Sequence, residues 1–272
     1  MDPGWTENTL DVEGHKVFYR LSADVPGALP IVHVHGFGIS GTYLMPTARL
    51  LAGRATNVVP DLPGYGRSER WGYTLGIPAL ALALLTMLDH FGLEKVVLVG
   101  NSMGCPVSLE VAHAAPDRVD RIVLVSPAGG VHNQGLGKAI RQLARDGTRE
   151  SPAMARVAVP DYLKFGPVNT WNMFSELTRF PSLERLLRAT VPTLVVIGSK
   201  DPLMAPPLRV REVARLAGPH TTVALIEGAA HAINFSHPGE LSHVIGSWLD
   251  GVEIVDDPDS PGFTRVLQLP RD

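Results

Sequence analysis

Short runs of β-branched and aliphatic residues recur along the chain, and between them the apolar positions take a helical spacing. The runs are Ile31 to Val34, Asn57 to Val59, Val96 to Val99, Ile122 to Val125, Thr193 to Ile197 and Thr222 to Ile226. Helices are expected at Tyr43 to Ala52, Ile77 to Phe91, Met103 to Ala115, Leu208 to Ala217 and Gly239 to Leu249. Such alternation is the pattern of a parallel sheet with helices on both faces. Val17 to Leu21 precedes the series and is expected to pair at an antiparallel edge. The last helix carries start signals, Pro238 at its first position and Glu240 in its first turn, with His237 read as its cap.

One interval breaks the alternation. From about His132 to Ala189 there is no strand signal, only helical and loop patterns rich in Pro, Arg and aromatics. An insertion between two sheet strands has to lie over one end of the sheet, so residues 132–189 are expected to form a cap on a core made of 1–131 and 190–250. Residues 251–272 are polar and proline-bearing, and read as a tail laid on the surface or left loose.

Composition narrows the classes. The chain has 272 residues, 45% hydrophobic and 19% charged, with a formal net charge of −3. That is a globular composition with no basic footprint for nucleic acid. The one cysteine, Cys105, excludes an internal disulfide framework and fits a reducing compartment. The start, MDPGWTENTLDVEGHKVFYR, has neither a basic nor an apolar leader region. The apolar stretch Ile77 to Leu88 is too short to span a bilayer. A cytoplasmic protein without membrane or nucleic-acid partners is the expectation, and a homodimer stays open.

The candidate chemistry starts at Gly100-Asn101-Ser102-Met103-Gly104, which fits the G-x-S-x-G nucleophile elbow. It follows an apolar run and precedes a helical pattern. A turn that sharp tolerates almost no side chain at its flanks, pushes the serine hydroxyl out above the sheet, and leaves the Met103 N–H at a helix N-terminus. A serine hydroxyl needs a histidine to take its proton, and the histidine needs a carboxylate to hold its tautomer. Asp201 follows the run TLVVIGSK, and His231 follows TVALIEG. Glu227 stands too near His231 in sequence to be its acid, and position 126, another place for it, is Ser126. A second backbone donor for a developing oxyanion is expected at Phe37, in the loop HGFG at 35–38. His33 and His35 share one face of a strand, but no matching cluster accompanies them to make a metal site. Asp61, in the turn-dense DLPGYGRS, is read as structural, and Cys105 as a small buried side chain.

HGFG, DLPGYGRS, GNSMG, the acid of GSKDP and the GAAH loop follow one another in the order of the α/β-hydrolase fold superfamily, which the chain resembles over about residues 15 to 250. The resemblance implies an eight-stranded, mostly parallel sheet, a helical cap after the sixth strand, and acyl-enzyme chemistry that needs no cofactor and no metal. It makes Ser102 the nucleophile, His231 the general base and acid, Asp201 its orienter, and Phe37 and Met103 the backbone donors. GNSMG followed by PDRVDRIVLVSPAGG also resembles the meta-cleavage product hydrolases, which break carbon–carbon bonds. Departing from those, the chain has Ala232 after the histidine and a less glycine-rich HGFG loop.

Carboxylic-ester hydrolysis is the first reading, carbon–carbon hydrolysis the second, and a hydrolase-fold ligand receptor with little turnover the third. Tyr162, Phe165, Trp171, Met173 and Phe174 are candidates to line an apolar pocket for a small hydrophobic substrate, or else form the cap's own core. Arg141 and Arg145, one helical turn apart, either steer a carboxylate or form a solvated face.

Overall fold

The computed structural model describes residues 4–127, 141, 150, 152–202, 215, 220–256 and 266–268. Nine strands make one sheet: β1 (Trp5–Val12), β2 (His15–Ser22), β3 (Ile31–Val34), β4 (Asn57–Pro60), β5 (Val96–Asn101), β6 (Val119–Val125), β7 (Thr193–Gly198), β8 (Thr221–Ile226) and β9 (Val266–Gln268). Their spatial order is β1-β2-β4-β3-β5-β6-β7-β8-β9. From β4 to β8 every neighbouring pair is parallel, while β1, β2 and β9 run antiparallel to their neighbours.

The described helices are α1 (Met45–Leu51), α2 (Ile77–His90), α3 (Gly104–Ala114), α4 (Pro152–Phe165), α5 (Pro167–Arg179), α6 (Ser182–Leu187), α7 (Ile233–Ser236) and α8 (Pro238–Leu249). Period-two alternation explains how they divide between the faces. On β6, Ile122 and Leu124 join the cluster packed under α2 and α3, whereas Val123 and Val125 join the cluster under α1 and α8. With both faces covered, the central strands must be apolar at every position, which is why their runs are continuous. Each side chain so buried contributes about 1.5–3 kcal/mol. This is the α/β-hydrolase fold, an eight-stranded, mostly parallel arrangement extended by one short strand at its far edge.

Three details differ from the sequence reading. The antiparallel edge is β1, not the strand at Val17 to Leu21, which lies one place in as part of β2. The pattern WTENTLDV buries only Trp5, Leu10 and Val12 and shows polar residues on its exposed face, so it lacks an apolar run. Within 251–272, Val266–Gln268 pairs with β8 and closes that side of the sheet. His237 does occupy the position before α8, but its side chain caps no helix N–H; Nδ1 sits 2.9 Å from the Ser236 hydroxyl. The helix expected at Leu208 to Ala217 falls outside the described residues except Arg215, and Arg145 also lies outside them.

Between β6 and β7, helices α4 to α6 are fastened to the sheet domain by polar contacts. Asp161 accepts the Ser40 N–H at 2.8 Å, Lys164 donates to the Gly66 carbonyl, and Arg185 pairs with Glu110 on α3 at 2.7 Å. Among the described residues, no helix is long and apolar enough to cross a membrane.

Candidate active site

Strand β5 ends at Asn101 and α3 begins at Gly104, so Ser102 sits on the turn between them with φ of +54°. That left-handed conformation is strained for a residue with a side chain. The flanking glycines make the turn possible. A Cβ on Gly100 would run into the Gly104 carbonyl, and one on Gly104 into the Val34 carbonyl of β3. The turn is pinned by the Ser102 N–H donating to the Val125 carbonyl at 3.0 Å and the Cys105 N–H donating to the Ser102 carbonyl at 3.0 Å.

His231 and Asp201 arrive from the loops after β8 and β7. Asp201 Oδ2 lies 2.8 Å from His231 Nδ1, and the two residues are only 9% and 8% exposed. Their loops are locked together: the Lys200 N–H donates to the Ala229 carbonyl at 3.0 Å, and a Cβ on Gly198 would strike that same carbonyl. Glu227 is exposed, and Ser126 is buried with its N–H bound to Val196. The carboxylate against the imidazole is therefore Asp201.

The HGFG loop comes down beside the elbow, where the Cβ position of Gly36 lies 3.2 Å from Ser102 Cβ. Among the described residues, the backbone N–H groups of Phe37 and Met103 have no hydrogen-bond partner. Two such donors beside a serine are what an oxyanion would use. A relay that sequence reasoning missed ties these loops together. The Gly36 N–H donates to Tyr43 Oη at 2.8 Å, the Tyr43 hydroxyl donates to Asn101 Oδ1 at 2.5 Å, and the Asn101 amide reaches the carbonyls of Val125 and His231. Asn101 stood inside the elbow pattern, but nothing in the sequence pairs it with Tyr43. Glu150 was missed as well: its Oε1 accepts the Ala232 N–H at 2.7 Å, next to His231.

His33, His35, Asp61 and Cys105, also singled out in the sequence, each have a structural hydrogen-bond partner. His35 Nε2 accepts the Leu62 N–H at 2.8 Å, so Nδ1 carries the proton and donates to the Gly36 carbonyl. His33 Nε2 lies 2.6 Å from Asn57 Oδ1, and burial pulls its pKa down to about 4. Among the described residues, no group of three acidic, histidine or cysteine side chains is arranged to hold a metal ion. Asp61 accepts from Arg20, the Gly41 N–H and the Arg67 N–H, which fixes the DLPGYGRS turn. The Cys105 thiol is fully buried beside the Gly100 carbonyl, and burial pushes its pKa well up.

Phe37 is walled by α4 and α5. The rings of Tyr162, Phe165 and Phe174 lie 5.8, 5.9 and 5.7 Å from the Phe37 ring, and Phe165 stacks on Tyr65 at 4.6 Å. Gly38, at φ of +70°, leaves room for the Tyr162 ring where a Cβ would otherwise stand. Trp171 is not part of this wall: it is 57% exposed, because the buried stripe of α5 runs through Met173 and Leu177. Arg141 is exposed.

A profile of the alpha/beta hydrolase family matches residues 31–244. The chain belongs to that family. An uncharacterised family relative from Mycobacterium tuberculosis is 25% identical, covering 89% of this chain and 80% of its own. A poly(3-hydroxyalkanoate) depolymerase from Ectopseudomonas oleovorans is 24% identical over 72% of this chain and 76% of its own. Among solved structures, a thermophilic esterase from Thermogutta terrifontis superposes with a TM-score of 0.75 at 21% identity, covering 90% of this chain and 98% of that one. As an alpha/beta hydrolase with hydrolase relatives, the protein is a hydrolase by family.

Proposed function

We propose that this alpha/beta hydrolase is a serine esterase that works through Ser102, His231 and Asp201 and an acyl-enzyme, on esters with a small to medium hydrophobic group. The observation that carries the reading is the 2.8 Å contact between Asp201 and His231, held against an elbow whose serine stands at φ of +54°. In this reading the Ser102 hydroxyl attacks the ester carbonyl while His231 takes its proton. Asp201 stabilises the imidazolium, and the N–H groups of Phe37 and Met103 bind the oxyanion, each donor being worth about 3 kcal/mol. His231 then protonates the departing alcohol. A water repeats the sequence in reverse and releases the acid, so no cofactor is needed.

The aromatic wall around Phe37 favours a hydrophobic acyl or aryl group. Residues 132–189 serve in this proposal as the cap that carries three of its rings. The depolymerase relative and the structural neighbour described as an esterase lie in the same direction. The test is hydrolysis of nitrophenyl esters from acetate to decanoate by the wild type and Ser102→Ala. Serine-dependent turnover with a chain-length optimum is expected; equal rates for the two proteins would contradict the mechanism.

A further inference from the structure

Glu150 brings a second carboxylate to the histidine loop from the insertion between β6 and β7. Its Oε1 accepts the N–H of Ala232, the residue after His231, at 2.7 Å, and Ala232 is itself 4% exposed. Its Oε2 is shielded from solvent and has no hydrogen-bond partner among the described residues. A carboxylate withdrawn from water is costly unless something nearby favours its charge. Burial does push the Glu150 pKa up, and the charge of Asp201 adds to that; the Ala232 and His231 N–H groups and the imidazole act the other way. His231 after β8 and Asp201 after β7 act on Glu150, and Glu150 in turn acts on Tyr43 from the turn Gly41–Leu44, which also feels Tyr162 of α4 and Cys105 of α3. Burial holds the Tyr43 phenol well above its ordinary value, so it stays neutral. The positive charge that favours the ionised Glu150 is that of protonated His231.

We propose that Glu150 is a positioning residue for His231: it anchors the loop that carries the imidazole through Ala232, and it stabilises the imidazolium as a second carboxylate beside Asp201. The proposal rests on the assignment of His231 as the base of the proposed reaction. The imidazolium forms each time the histidine takes a proton, so a nearby carboxylate favours those stages. A glutamine there, isosteric with glutamate, would still hold the loop but would not favour the charge. Two functions are thus separable: the hydrogen bond to Ala232 and the charge beside His231.

The experiment is a nuclear magnetic resonance titration of wild type, Glu150→Gln and Glu150→Ala. The His231 ring signals are identified by their loss in His231→Gln, and the Ala232 amide is followed by hydrogen exchange. Glu150→Gln keeps an acceptor oxygen and removes the charge, so the His231 midpoint is expected about one pH unit below wild type with the Ala232 amide still protected. Glu150→Ala is expected to lower the midpoint likewise and to speed Ala232 exchange by about tenfold or more. An unchanged or raised midpoint in Glu150→Gln, or an Ala232 amide equally protected in Glu150→Ala, would overturn the proposal. Neither readout needs turnover. Labelling of Ser102 by a fluorophosphonate, run on the same samples, reports separately on the serine mechanism, so failure of one is not mistaken for failure of the other.

Discussion

Asp201 Oδ2 stands 2.8 Å from His231 Nδ1, and the loops bearing the two residues are closed against each other through Lys200 and Ala229. In the proposed mechanism this carboxylate holds one tautomer of the ring and offsets its charge. Asp201→Asn is expected to lower kcat by about 10³-fold or more with little change in folding stability. Glu227→Gln, on an exposed side chain, is expected to leave the rate unchanged. Steady-state kinetics on the two purified variants decide between the carboxylates, and loss in Glu227→Gln alone would reverse the assignment.

Tyr43→Phe removes the hydroxyl that accepts from Gly36 and donates to Asn101. Both partners are buried and would be left unsatisfied, at a cost of about 1–3 kcal/mol in stability. Because Gly36 precedes Phe37, whose N–H is the proposed oxyanion donor, kcat is also expected to fall about tenfold with KM little changed. Urea unfolding and steady-state rates on the variant check the two halves.

Acid should weaken the fold through His33. Burial lowers its pKa from an ordinary value near 6.5 to about 4, so between those values the unfolded chain holds a proton that the folded chain does not. Stability therefore falls as pH drops through that window, by about 3 kcal/mol for this residue when the window has been crossed. His35 adds in the same direction, since burial lowers its pKa too. The urea midpoint is expected to be lower at pH 5 than at pH 7, and His33→Gln to flatten the difference.

The aromatic wall makes a contrast between neighbours. Phe165 is 4% exposed and stacked on Tyr65, whereas Trp171 is 57% exposed. Phe165→Ala is expected to destabilise by about 3–5 kcal/mol. Trp171→Ala should change stability by no more than about 0.5 kcal/mol and leave ester chain-length preference as it was. Thermal unfolding of the two variants measures the difference.

The central strands were legible because burial on both faces forces every position to be apolar, as in Val96 to Val99. The edge strand β1 was not, since one of its faces meets water and interrupts the pattern. Ser102, Asp201 and His231 could be picked out because each follows a strand-like run in the expected order. Tyr43 and Glu150 carry no such local mark: the first meets Asn101 from 58 residues away and the second meets Ala232 from 82. Composition groups Trp171 with Phe174, and only the packed helix reveals that the buried stripe runs through Met173 and Leu177, with Phe174 half-buried beside it and Trp171 exposed.

An activated serine can be tested without knowing the natural substrate. The measurement is reaction with a fluorophosphonate followed by peptide mass analysis, on wild type, Ser102→Ala and His231→Gln. One adduct per chain is expected, on Ser102, absent in Ser102→Ala and formed at least about 10³-fold more slowly in His231→Gln. A wild type that stays unlabelled, or a label carried by another residue, would contradict the serine mechanism.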